Sequence, residues 1–247
     1  MVTFSNLSKL GRMGNQLWQI SAVIGYALQQ KIDYCIPVWE YSKFFKFELK
    51  QSAIIKPMPV YKETGFNYNR IPRYVHIDLY GYFQSIKYWQ HCENTICKLW
   101  TPNYEIQAIL EKNPFSPNTC AVHVRRTDYL VLKDYHPSLP LKYYQKAIEA
   151  MKADNYIFFS DDIEWCKENF KGDNFAYVNS GNDIMDFFAA TQCDKFIIAN
   201  SSYSWWFSYL SNKPNKRIIA PRKENWFGIQ YKHKNVDDLY LPLWELI

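Results

Sequence analysis

The stretch HVRRTDY, His123 to Tyr129, brings two guanidinium groups, an imidazole and a carboxylate together directly behind the apolar-leaning run TCAV. A guanidinium grips phosphate as a two-pronged, charge-assisted fork that lysine cannot imitate. If the run is a strand, residues two apart share a face, so Ala121, His123 and Arg125 point one way while Val122, Val124 and Arg126 point the other. His123 and Arg125 then converge on one cleft, and Arg126 faces elsewhere. The competing reading is that both arginines merely pair with Asp128 at a loop.

Three further stretches carry groups suited to an anion. In LGRMGNQ, Gly11 and Gly14 flank Arg12 and Met13, with Asn15 and Gln16 opening a helix. Glycine lets backbone N–H groups approach a ligand closely, and a helix N-terminus adds unpaired N–H groups and partial positive charge. Asn15 also suits a plain helix cap, an alternative the spacing leaves open. In FFSDD, Asp161 and Asp162 end an apolar run; the pair fits a hydrogen-bonded nucleoside or an ordinary cap. In IIANSSYSWW, Asn200, Ser201 and Ser202 occupy the same kind of position, and Trp205 with Trp206 is expected in the core. Polar groups at four such junctions, on what should be one sheet edge, point to a bound diphosphate. A P-loop lysine motif and the GxGxxG fingerprint are both missing, which argues against an ATPase and against an NAD enzyme.

The elements that must position these groups follow from hydrophobic period. Short β-rich runs (CAVHV, NYIFFS, FAYVNS, KFIIAN, KRIIAP) alternate with helical runs (LKYYQKAIEAMKA, DIEWCKENF, DIMDFFAATQC, SYSWWFSYL). That alternation is the mark of βαβ units and a parallel sheet, in which ligands gather beyond the carboxyl ends of the strands. On LKYYQKAIEAMKA, Leu141, Tyr144, Ile148 and Met151 share one face. The first half is less regular. VTFSNL and KIDYCIPV are expected strands, and NQLWQISAVIGYALQQ an expected helix with Leu17, Ile20, Ile24, Ala27 and Leu28 along one face. SIKYWQHCENTICKLW is read as helical, and Trp39–Ile86 has no clear pattern. The stretch KNPFSPNT is the best linker, so the boundary is expected near residue 116: an N-terminal α/β domain, 1–116, and a Rossmann-like domain, 117–247.

Composition narrows the partners. The 247 residues carry a net charge of +5 without a basic stripe, which disfavours nucleic acid and suits an anionic small molecule or light contact with an acidic membrane surface. Aromatic residues reach 18%, an excess that hints at a sugar or nucleotide surface. Tyr61, Tyr68, Tyr80, Tyr82 and Phe83 fit a sugar-stacking surface and fit ordinary packing almost as well. The six cysteines show no metal spacing and read as free thiols. No apolar leader or membrane-length run is evident, so a cytoplasmic location, with peripheral membrane contact allowed, is the expectation. The sequence is silent on oligomeric state.

Taken together, GRMGNQLWQ, HVRRTDY, SDD and NSSYSWW resemble the four ordered motifs of the α-1,2-fucosyltransferases, glycosyltransferase family 11. Thr127 stands where that family usually has glycine, and Trp18 where phenylalanine is usual. The resemblance implies a GT-B-like α/β fold, two Rossmann-like domains facing across a cleft, and inverting, metal-independent transfer of fucose from GDP-fucose to a galactose-containing glycan. It implies that Arg125 binds the β-phosphate, that His123 and Asp161 contact guanosine, and that Ser201 and Ser202 hold phosphate oxygens. Gly11, Arg12, Gly14, Asn15, Gln16 and Arg126 complete the implied donor set. Arg125, Asp128 and Asn15 are the catalytic candidates, with Asp128 either the base for the acceptor hydroxyl or the group that orients Arg125. No cofactor or metal is expected. The alternatives are an α-1,6- or protein O-fucosyltransferase with the same arginine motif, or a non-catalytic GDP-sugar or glycan-binding module.

Overall fold

The computed structural model describes every residue, Met1 to Ile247, and resolves into two compact units. The first comprises Met1–Tyr104 and Lys234–Tyr240; the second comprises Glu105–His233 and Leu241–Ile247.

In the first unit the chain passes through β1 (Val2–Thr3), α1 (Met13–Gln30), β2 (Ile36–Pro37), β3 (Gln51–Ser52), β4 (Val60–Lys62), β5 (Ile77–Tyr80) and α2 (Glu93–Leu99). Strands β1, β5 and β4 form a parallel sheet in that order, and β2 pairs in parallel with β3. Helix α1 is buried almost all round, which fits its run of Leu, Trp, Ile, Ala and Val. It stops at Lys31, whose left-handed backbone (φ 56°) turns its N–H back onto Ala27 and Leu28. Leu28, expected on the apolar face, is 49% exposed, because the helix meets solvent in its last turn.

The second unit continues with α3 (Tyr104–Lys112), β6 (Thr119–Val124), α4 (Thr127–Val131), α5 (Leu141–Met151), β7 (Asn155–Ser160), α6 (Ile163–Asn169), β8 (Phe175–Val178), α7 (Asp183–Ala190), β9 (Lys195–Ile197), α8 (Ser202–Leu210), β10 (Arg217–Ala220) and β11 (Glu245–Leu246). Its six strands lie in the order β11-β10-β9-β6-β7-β8, and every pair is parallel. All six residues of β6 are buried, as expected of a central parallel strand covered on both faces. Cys120, Val122 and Val124 pack with Tyr144, Ala147 and Met151 of α5 and with Cys166 of α6. His123 faces the other way, against Tyr203 and Phe207 of α8. The chain leaves β6 toward β7 on one side and returns to β9 on the other, so the order reverses between β6 and β9. Such a reversal opens a crevice at the carboxyl ends of the two strands.

Several expectations change. The units divide at Tyr104/Glu105 and not near residue 116, since α3 clusters with the second unit ahead of the KNPFSPNT turn. Lys234–Tyr240 belongs to the first unit, through Asp238, which accepts from Tyr68 N (2.6 Å), Ser85 Oγ (2.9 Å) and Lys87 Nζ (2.6 Å). The VTFSNL strand ends at Thr3, because Ser5 turns its N–H to Asp78 (2.9 Å). SIKYWQHCENTICKLW is two 3-10 turns before α2, broken at Trp89 (φ −142°), whose ring is buried against Trp18. Of the four polar junctions, GRMGNQ lies in the first unit; the other three share the sheet of the second.

Candidate functional site

Strand β6 ends at Val124, so Arg125 and Arg126 lie just beyond its carboxyl end, outside the strand whose alternation was expected to separate them. They take different partners. Arg125 Nη2 is 2.7 Å from Asp128 Oδ1, and its Nη1 is 3.1 Å from Asp161 Oδ2. Arg126 Nε donates to Asp162 Oδ2 at 3.0 Å, and its guanidinium lies 4.0 Å over the Trp165 ring. Arg125 is thus held between two carboxylates, whereas Arg126 is stapled to α6. Arg125 also lies 5.5 Å from the centre of the Tyr129 ring, and Tyr129 OH donates to Asn200 O (3.0 Å) at the end of β9. That hydrogen bond joins the loops on the two sides of the reversal point.

The acidic pair after β7 divides its work. Asp162 is the helix cap: it precedes α6 and accepts from Trp165 N. Asp161 turns to the loop after β6, where it accepts from Arg126 N (2.9 Å), Thr127 N (3.2 Å) and the Thr127 hydroxyl. Burial alone would raise the Asp161 carboxyl, but Arg125, the Thr127 hydroxyl and the Arg126 N–H together hold it below the usual carboxylate range. Thr127 therefore does local work that glycine could not.

His123 is 4% exposed, and its Nδ1 is buried without a partner. Burial, reinforced by Arg125 and opposed by Asp161, pushes the imidazole far below its ordinary value and keeps it neutral at physiological pH. After β9, Ser201 caps α8 by accepting from Tyr203 N (3.3 Å), and Ser202 forms the first turn. Asn200 gives its amide protons to Pro137 O (2.9 Å) and Trp226 O (3.1 Å). Trp205 and Trp206 are fully buried, as expected. The second unit therefore brings His123, Arg125, Asp128 and Asp161 together, with Asn200 tied in through Tyr129 and Ser201 and Ser202 opening the helix after the neighbouring strand.

In the first unit, helix α1 starts at Met13 with Arg12 as its extended cap, so Asn15 is not the cap. Asn15 sits in the first turn, and its Oδ1 accepts from Gln84 Nε2 at 2.7 Å. Gly11 has φ +76°, and a β-carbon there would lie 2.1 Å from Asn15 Nδ2. Gln16 is a buried strut: it donates to Gly11 O (3.1 Å) and accepts from Trp39 Nε1 (2.7 Å). Gly14 is buried and Arg12 exposed.

Tyr129, Gln84 and Glu63 escaped the sequence reading. Tyr129 was inside a quoted motif, but its reach to Asn200 is a tertiary fact. Gln84 and Glu63 lie in an aromatic-rich stretch without a period.

A sequence model of glycosyl transferase family 11 matches residues 59–247. The chain belongs to this family. It is 36% identical over 137 residues to the O-antigen biosynthesis glycosyltransferase WbnK of Escherichia coli, covering 51% of this chain and 45% of WbnK. It is 25% identical over 235 residues to the galactoside alpha-(1,2)-fucosyltransferase 2 of Oryctolagus cuniculus, covering 83% of this chain and 66% of that protein. The family 11 chain thus spans about half to two thirds of the length of these relatives. Among solved structures it is similar to NodZ alpha-1,6-fucosyltransferase soaked with GDP-fucose, with a TM-score of 0.58 at 15% identity over 91% of this chain and 95% of that one. The likeness shows the α/β, GT-B-like fold.

Proposed function

We propose that this family 11 chain is an inverting fucosyltransferase that moves L-fucose from GDP-fucose to a galactoside hydroxyl, in α-1,2 linkage, without a metal. The observation that carries the reading is the Arg125 fork, held by Asp128 and Asp161 at the strand-order reversal, one strand from the α8 N-terminus. The names of the relatives support donor and acceptor: one is a galactoside alpha-(1,2)-fucosyltransferase, and the NodZ structure was soaked with GDP-fucose.

Fucose leaves through an oxocarbenium-like transition state while negative charge builds on the diphosphate. In this account Arg125 neutralises that charge, aided by Ser201, Ser202 and the N–H groups at the start of α8. One such preorganised donor contributes about 2.7–4 kcal/mol to transition-state stabilisation. In this account the charge is handled by these fixed groups alone. The neutral His123 packs beside Tyr203 and, in this account, contacts the nucleoside. Asp161 then acts by shaping the arginine loop as well as by touching guanosine. Its pairing with Arg125 makes Asp128 the orienting group, and a good leaving group lets the acceptor hydroxyl be deprotonated late and weakly. No helix is long and apolar enough to cross a membrane.

Incubation with GDP-fucose and a panel of β-galactosides, followed by NMR of the product linkage, tests this reading. Transfer to the 2-hydroxyl supports it. Transfer to the 6-hydroxyl or to a protein hydroxyl favours the sister activities, and binding without transfer favours a lectin-like module.

A further inference from the structure

The first unit contains a relay that ends on Asn15. Glu63, directly after β4, receives the N–H of Tyr82 (2.7 Å on Oε2) and the N–H of Phe83 (3.0 Å). The turn it grips is an unusual one: Gly81 has φ +155° and Phe83 sits in the left-handed region at φ 51°. A bulky residue is disfavoured there and persists only where its surroundings impose it. A β-carbon on Gly81 would collide with Glu63 at 2.4 Å, so the carboxylate and the turn are built for each other. Two residues past Phe83, Asp238 holds Ser85 by its hydroxyl (2.9 Å). Between these anchors lies Gln84, 6% exposed, whose Nε2 donates to Asn15 Oδ1 at 2.7 Å. Gln19 closes the frame by donating to Leu10 O (3.0 Å) and Gly81 O (3.2 Å), which ties the turn to the glycine loop.

The direction of the Gln84 bond has a chemical consequence. In this arrangement Asn15 presents its oxygen to Gln84 and its Nδ2 lies beside Gly11, where only the missing β-carbon leaves it room. We infer that Glu63 and Gln84 are positioning residues that lock the Asn15 amide as a hydrogen-bond donor toward the glycine loop, the polarity an anionic or hydroxyl-rich donor sugar requires. The inference deepens the proposed function and rests on it for the ligand, though not for the relay itself.

Gln84→Glu is the decisive variant. A carboxylate can only accept, so Asn15 must turn its amide over and offer oxygen where it offered nitrogen. The relay predicts that Gln84→Glu loses about tenfold or more in kcat/KM for GDP-fucose and loses more than Gln84→Ala, with both differences vanishing in an Asn15→Ala background. A purely structural role for Gln84 predicts the reverse order, since glutamate keeps the size. Amide hydrogen exchange over residues 10–16 gives a readout independent of turnover: Glu63→Ala should accelerate it, and Glu63→Gln, which keeps one acceptor, should return it toward wild type. Equal or better activity in Gln84→Glu than in Gln84→Ala, or unchanged exchange in Glu63→Ala, overturns the inference. If the wild-type chain transfers no fucose, the donor reading falls and the exchange measurement alone decides the relay.

Discussion

Arg125 Nη2 stands 2.7 Å from Asp128 Oδ1, three residues along the chain. Together with Asp161 on its other nitrogen, this pairing fixes the plane of the guanidinium before any ligand arrives. Preorganisation of this kind is what a diphosphate leaving group needs, because no reorientation is then required as charge develops.

Loss of the fork should therefore be nearly as harmful as loss of the side chain. Arg125→Lys and Arg125→Ala are expected to lower kcat by similar factors, on the order of 10² to 10³. Arg126→Ala should leave kcat within a few fold and instead lower the melting temperature, since the Asp162 pair and the Trp165 stack together contribute about 1 kcal/mol. Steady-state kinetics beside thermal melts separate the two arginines. Equal damage to kcat from both alanine variants contradicts this division between them.

Asp128 is expected to orient and not to accept the proton. Asp128→Asn keeps the shape but loses the charge on which Arg125 rests, so kcat should fall by about tenfold, roughly the 1–3 kcal/mol of a charge-assisted bond at its lower end. The pH–rate profile should keep its acidic limb. Disappearance of that limb in Asp128→Asn would instead mark a base.

Gly11→Ala is expected to disable the loop without unfolding the chain. The substitution strains a backbone at φ +76° and places a carbon on the Asn15 amide, a cost of about 1–3 kcal/mol. Donor affinity should fall with it, read by titration, while the far-ultraviolet spectrum stays native.

The two units should respond to pH with opposite signs. His123 has its ordinary value of 6.5 lowered to about 3, by burial first and Arg125 second against Asp161. The unfolded chain therefore takes up a proton below 6.5 that the folded one refuses, and stability drains away as pH falls from 6.5 toward 3. Glu63 is the converse: burial, opposed by the Phe83 and Tyr82 N–H groups and by Lys234, raises it from 4.5 to about 7. Its contribution is full below 4.5 and is lost as pH rises through 7. Melting temperatures across pH 3–8 should lose the acid-side slope in His123→Gln and the neutral-side slope in Glu63→Gln. Unchanged slopes in both variants would contradict these assignments.

The second unit was legible because its elements are short and strictly alternate, so period alone placed every strand from β6 to β10. Arg125 and Arg126 take different partners, but both lie past the end of β6, beyond the reach of strand parity, while Ser201 caps α8 as a serine there was expected to. In the first unit α1 fell where its apolar face placed it, but the strands and the stretch after them were less legible, for a physical reason. Its strands are two to four residues long, too short for a period, and are fixed by partners far away, as Asp78 fixes Ser5. Asn15 looked like a cap because helix starts favour it, yet Arg12 with an extended backbone starts the helix and frees Asn15 for Gln84. Strand-end position alone did not tell Asp161 from Asp162, only the family resemblance did; the structure gives the cap to Asp162 and the arginine loop to Asp161.

The most direct test of the central claim is a calorimetric titration of the purified chain with GDP, then ADP and UDP, in EDTA. The account predicts micromolar GDP binding that is absent for the other two nucleotides, indifferent to chelator, and abolished by Arg125→Ala. No GDP binding, or binding that disappears with EDTA, would contradict it and leave the Arg125 fork to a different anion.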